Sequence, residues 1–277
     1  MERKSLKDLT LLDRFLFAEA VEDPETMQIL LEIILGEEIV IENLPQTEKE
    51  QRKSPRYRHI RLDVWAKDEN DRIYDTEVQR RDTGNLPKRS RYYQGLIDGK
   101  LLEPGTVDFN LLNDVFIILI TPFDLFGSER YRYTFRMRCE EEGEIILEDG
   151  AVRIFLNTHG KNKEEVRPEL IEFLNYVEKT NELQGEAFQS ERVTKIQRAV
   201  QQIKSNEQIG VKYMQEWEER QDEIDKAIEA DREKRTLELI QKKQAKGKNI
   251  TQIADELEMT EEEVQRVLDK QKEMSEN

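Results

Sequence analysis

The stretch Arg61-Leu-Asp63-Val-Trp65-Ala-Lys67-Asp-Glu-Asn-Asp71-Arg-Ile73-Tyr-Asp-Thr-Glu77-Val-Gln79 decides how the rest of the chain is read. Its first arm, Ile60 to Lys67, alternates Ile60, Leu62, Val64 and Ala66 with Arg61, Asp63, Trp65 and Lys67. Its second arm carries β-branched and aromatic residues at Ile73, Tyr74, Thr76 and Val78. Between them, Asp68-Glu-Asn-Asp71 is a turn of short polar side chains able to bond their own backbone. The spacing predicts a β-hairpin. Side chains on a strand repeat every two residues, so Asp63 faces away from Leu62 and Val64, and Glu77 shares a face with Gln79. Pairing the arms sets an acid of one strand near an acid of the other. Two neighbouring carboxylates repel and raise each other's pKa unless a cation joins them. A hard divalent ion such as magnesium is the natural neutraliser, whereas the bland reading leaves the acids solvated on an outer face.

At 277 residues the chain can bury a good core, with one main domain and an appendage. Charged residues are 38% and apolar residues 36%, so part of the chain is expected to be exposed helix. No apolar run reaches eighteen residues, and Met1-Glu-Arg-Lys-Ser5 has no apolar signal core, so the expectation is a cytoplasmic protein without a membrane partner. The single cysteine, Cys139, excludes an internal disulfide and a cysteine zinc site. Two histidines, His59 and His159, exclude a histidine-rich metal centre.

The net charge of −16 argues against non-specific coating of nucleic acid. Residues 52–100 depart from it, with 13 Lys and Arg against 8 Asp and Glu, a local balance of +5 around the hairpin. A positive rim around an acidic centre suits phosphodiester chemistry, with basic side chains on phosphates and carboxylates on a metal.

In chain order, residues 9–36 read as two helices, the second started by Asp23-Pro24 and stopped by Gly36. Ile39–Ile41 reads as a short strand and residues 43–57 as a loop. After a break at Arg80–Pro87, Lys88–Leu102 is an amphipathic helix. The most apolar run, Asp114–Thr121, reads as a buried central strand. Tyr131–Arg138 is a further strand, Ile145–Leu147 and Val152–Leu156 a hairpin about Glu148–Gly150, and residues 164–179 a helix. From about residue 188 a charged helix pair follows, interrupted at Gly210 and packed on the core rather than coiled with another chain. After Gly247, Asn249–Leu257 and a capping box at Thr260–Glu263 give a helix-turn-helix shape. Glu261, Glu262 and Glu263 open its second helix and would be repelled by phosphates, so the tail reads as a packing or partner module. The domains expected are 1–185, 186–246 and 247–277.

With Asp63, Glu77-Val-Gln79, the Tyr92-Tyr93 helix and the strand Val115–Ile120 in that order, residues 9–180 resemble the recombination-promoting nuclease / putative transposase family of the PD-(D/E)XK nuclease superfamily. The resemblance implies an α/β fold, a restriction-endonuclease-like mixed sheet flanked by helices, with an α-helical C-terminal extension. It implies a metal-dependent DNA endonuclease tied to recombination or mobile elements. The catalytic residues would be Asp63, Glu77 and Gln79, with Asp63 and Glu77 holding Mg2+ or Mn2+. Gln79 stands where many superfamily members have lysine, and an amide carries no charge. The cations nominated for DNA phosphate are Arg61, Arg80, Arg81 and Lys88, and Asp13 or Glu19 would complete the acidic set. DNA is the expected partner, and a homodimer is the simplest way to cut both strands. The alternative is a catalytically inactive nuclease-fold module that binds DNA or protein. A third reading, a scaffold built on the charged helices, would leave the hairpin acids as surface charge.

Overall fold

The computed structural model describes residues 4–42, 46–47, 64–102 and 105–276. Two compact units divide at Gly210 and Val211. The first opens with helices α1 (Arg14–Val21) and α2 (Pro24–Leu35), followed by strands β1 (Gln46–Thr47), β2 (Val64–Lys67) and β3 (Ile73–Val78). Next come helix α3 (Leu86–Leu101) and strands β4 (Val115–Thr121), β5 (Arg132–Phe135) and β6 (Ala151–Asn157). Helices α4 (Pro168–Glu178) and α5 (Glu191–Ser205) complete it.

Strand order across the sheet is β1-β2-β3-β4-β6-β5. β4 runs parallel to both β3 and β6, while the β2–β3 and β5–β6 pairs are antiparallel, so the sheet is mixed. All seven residues of β4 are buried, as expected of a strand covered on both faces. Odd-numbered Ile73, Val115, Ile117 and Leu119 pack with Phe155 and with Leu86, Tyr93 and Ile97 of α3. Even-numbered Tyr74, Phe116, Ile118, Ile154 and Leu156 are buried on the opposite face. There α1 touches β3, and Arg132 of β5 donates to the Ile34 carbonyl at the end of α2. Helices α1, α2, α4 and α5 pack among themselves. This is the α/β architecture expected, a mixed sheet between helical layers with a helical C-terminal part.

Local chemistry explains the element ends. Asp23 caps α2 by accepting from the Thr26 amide at 2.9 Å, and Gly36 stops it at φ 86°, a left-handed conformation that glycine adopts without strain. The expected hairpin turn is present: the Asp71 amide bonds the Asp68 carbonyl, and Asp68 Oδ1 accepts from the Asn70 and Arg72 amides.

Several expectations are corrected. Ile39–Ile41 is no strand but a single bridge, Ile41 to Asp68. Residues 43–57 lie outside the described residues except Gln46–Thr47, which pair with β2 instead of looping. Helix α3 begins at Leu86, taking in Pro87, because proline is tolerated in a first helical turn. Ile145–Leu147 does not pair with Val152–Leu156. It lies opposite Met137–Cys139, through the Leu147 amide to the Met137 carbonyl and the Cys139 amide to the Ile145 carbonyl, while β6 is held between β4 and β5.

The helix break falls at Asn206 and not at Gly210. Asn206 ends α5 in an extended conformation, and its Oδ1 accepts from the Gln208 amide to start α6 (Glu207–Gln244), which runs through Gly210. Core packing holds for α5, which buries Val193, Ile196 and Val200. In α6, Val211, Met214, Ile224 and Ile228 are exposed, and Ile240 is the one buried residue among those described.

In the second unit the end of α6 packs with α7 (Ile250–Leu257) and α8 (Glu261–Glu276) through Ile240, Ile253, Ala254 and Val264. Asn249 and Gln252 form a capping box on α7, and Thr260 and Glu263 cap α8 reciprocally. Among the described residues no helix is long and apolar enough to cross a membrane.

Candidate active site

Strand β3 is buried along its whole length, and its odd positions carry Asp75 and then Glu77 on the face covered by α3. The Gln79 amide bonds the Ile120 carbonyl at 2.9 Å, so Gln79 continues the ladder one step beyond β3. Glu77 and Gln79 therefore lie on one face, two residues apart, as the strand period requires.

Helix α3 brings in a third group. Arg89 Nη2 donates to Glu77 Oε1 at 2.7 Å and to Gln79 Oε1 at 2.7 Å. Gln79 Nε2 donates to the Arg81 carbonyl at 2.8 Å, which turns Gln79 Oε1 toward Arg89. Arg89 also stands 5.8 Å from the centre of the Tyr93 ring, one helical turn along α3. The start of α1 borders the same cluster: Arg80 Nη1 donates to Asp13 Oδ1 at 2.7 Å, and Asp13 Oδ2 accepts from the Thr10 amide.

Burial pushes the Glu77 carboxyl up from its ordinary value, against the opposing pull of the Arg89 and Arg14 charges and the Tyr93 hydroxyl. Glu77 is 8% exposed, and its Oε2 has no hydrogen-bond partner of normal geometry among the described residues. A carboxylate buried at a strand end fits a ligand of a divalent cation. Among the described residues no three acids, histidines or cysteines come together to hold a metal. Asp63, the other ligand expected, lies outside the described residues, as does Arg61.

The sequence-expected residues thus separate. Glu77 and Gln79 are brought together, on one nitrogen of Arg89. Arg80 is engaged by Asp13, Arg81 joins through its backbone carbonyl, and Lys88 is exposed on α3. Of the two first-helix acids, Asp13 is tied to the strand end through Arg80. Asp75, 1% exposed and of the same parity as Glu77, was missed, although the period of two was enough to find it. Arg89 was missed as well, because no sequence spacing signals that α3 folds over the end of β3. The Tyr92-Tyr93 pair splits, Tyr92 outward at 44% exposed and Tyr93 buried at 6%.

Neither the curated proteins nor the solved structures searched contain a match. A family match does exist, to the family described as "PD-(D/E)XK nuclease family transposase", over residues 13–231. The matched span holds the whole sheet, Glu77, Gln79 and Arg89, and the chain belongs to the PD-(D/E)XK nuclease family transposases.

Proposed function

We propose that the chain is a magnesium-dependent DNA endonuclease acting in recombination or in a mobile element. The observation that carries this reading is the buried Glu77 beside Gln79 at the end of a covered strand in a nuclease family whose members generally use divalent metals. Asp63 supplies the second carboxylate in this reading. When bound, a magnesium ion would polarise the scissile phosphate and lower the pKa of the attacking water.

The chain's own groups do the remaining work. Glu77 and Asp63 provide the negative charge that selects a hard cation. The apolar cover of α3 limits water at that end of the sheet and so strengthens each electrostatic contact. Arg61, Arg81 and Lys88 are placed by this reading on backbone phosphates, while Arg80 couples the strand end to Asp13. The water oxygen would form a new P–O bond as the bond to the leaving oxygen breaks, and the proton lost by the water would end on that oxygen, giving one phosphate end and one hydroxyl end.

A non-catalytic DNA- or protein-binding module is the second reading. It is favoured by the Arg89 bond, which already neutralises one oxygen of Glu77. End-labelled duplex DNA separates the two. Cutting by the wild type in magnesium, absent with EDTA and absent for Asp63→Ala at unchanged melting temperature, is the expected result. Binding without cutting under every metal tried would favour the module.

A further inference from the structure

We infer that Arg89 is the catalytic cation of this site, a fixed positive charge delivered from helix α3 to the phosphate under attack. The inference rests on the nuclease reading above and goes beyond it, since Arg89 is not among the cations nominated from the sequence.

Three observations converge. Arg89 Nη2 touches both Glu77 and Gln79, at 2.7 Å each, so its charge stands at the carboxylate that would hold the metal. Its orientation is set from two sides, by Gln79, whose amide is itself fixed by the Arg81 carbonyl, and by the Tyr93 ring. Its hydrogen-bonding capacity is not used up: its bonds to Glu77 and Gln79 both come from Nη2, and its side chain stays 24% exposed. Guanidinium has five N–H donors, and Nη2 accounts for two of them. The remaining donors suit phosphate oxygens, which arginine binds with directional N–H bonds as well as charge.

Among the described residues, the nominated cations are placed less well. Arg80 is paired with Asp13, and Arg81 and Lys88 are exposed. Lys88 is next to Arg89 in sequence but about 100° round the helix, so the two cannot point at the same spot. Arginine keeps its proton at any physiological pH, so Arg89 would stabilise developing negative charge and could not act as the base. Gln79 then has a definite task as a positioning residue: it is the neutral acceptor that holds Arg89. A lysine at position 79 beside Arg89 would set two cations against each other.

Removing Arg89 is therefore expected to have opposite effects on two measurements. It takes a positive charge away from a cation site, which favours magnesium, and takes a stabilising donor from the transition state, which slows cutting. Arg89→Gln should cleave plasmid about 100-fold more slowly, yet bind magnesium by calorimetry at least as tightly as the wild type. The double variant Gln79→Lys/Arg89→Gln, which carries the charge on the strand instead of the helix, should regain about 10-fold over Arg89→Gln, a partial return toward the oxyanion-type stabilisation lost. If Arg89 only propped up Glu77, its loss would lower magnesium affinity and cleavage together.

Cleavage by Arg89→Gln at the wild-type rate would overturn the assignment. So would a parallel loss of magnesium affinity, or a double variant no faster than Arg89→Gln. Failure of the nuclease reading looks different, because then the wild type itself cuts nothing and the assignment falls with it.

Discussion

A carboxylate buried at the end of a strand is stable only where the protein offsets its lost hydration, and Glu77 has that offset from Arg89 on one oxygen. A second buried acid of the hairpin, Asp68, is satisfied more completely. Its oxygens accept from the Asn70 and Arg72 amides, from Arg72 Nε at 2.7 Å and from the Tyr74 hydroxyl at 2.8 Å. Burial pushes the Asp68 carboxyl up, but the Tyr74 hydroxyl and the Arg72 amide and guanidinium together bring it below the usual 3.8. A depressed folded-state pKa contributes stability that is present above the unfolded value and is lost as pH falls through the folded one. Asp68→Asn should therefore lower unfolding stability by about 2 kcal/mol at pH 7, measured by urea titration. The gap between variant and wild type should narrow below pH 3.8, as the wild-type carboxyl takes up its proton. A gap that does not change with pH would mean that packing, and not charge, sets the cost. The two acids also differ in how they could be read. Asp68 sits in a turn whose chemistry is local, so the sequence exposed it. The partner of Glu77 lies twelve positions away on another element, and only the fold brings Arg89 to it.

Among the elements, β4 was the most legible, because burial on both faces leaves an unbroken apolar run that no amphipathic element has. Ile118→Ala should cost about 3 kcal/mol through the cavity it leaves between parallel neighbours, read as a lower urea midpoint with an unchanged slope. A loss below about 0.5 kcal/mol would mean the position is not packed as described. The pairing of β6 was illegible for the opposite reason. Glu148–Gly150 looks like a hairpin turn, but β6 is an interior strand whose partners, β4 and β5, lie 18 to 36 positions away, and local turn chemistry does not decide such pairings. At the α5–α6 break the useful signal was a cap. Asn206 gives a strong N-cap for a helix, whereas Gly210 only weakens a helix that its neighbours carry through.

For the whole molecule, the two units differ in how much holds them. The first has a sheet covered on both faces, and the second rests on a small cluster at Ile240, Ile253, Ala254 and Val264. Ile253→Ala should remove about 3 kcal/mol from that cluster. The effect should appear as fast hydrogen exchange across α7 and α8 while β4 amides stay protected. Equal loss of protection in both regions would mean that the two units unfold together. The family match ends at residue 231, within α6, so α7 and α8 lie beyond it. Acidic residues at the start of α8 continue to argue against a phosphate-reading helix.

The central claim is that buried Glu77 is a metal ligand of a nuclease site, and conversion of supercoiled plasmid in magnesium by the wild type and by Glu77→Gln tests it most directly. Glutamine keeps the shape and the bond to Arg89 but loses the charge that a divalent ion needs. With both proteins folded to the same melting temperature, the expected result is nicked and linear DNA from the wild type and untouched plasmid from the variant. Equal cutting by the two would contradict the claim and would move the active centre away from the end of β3.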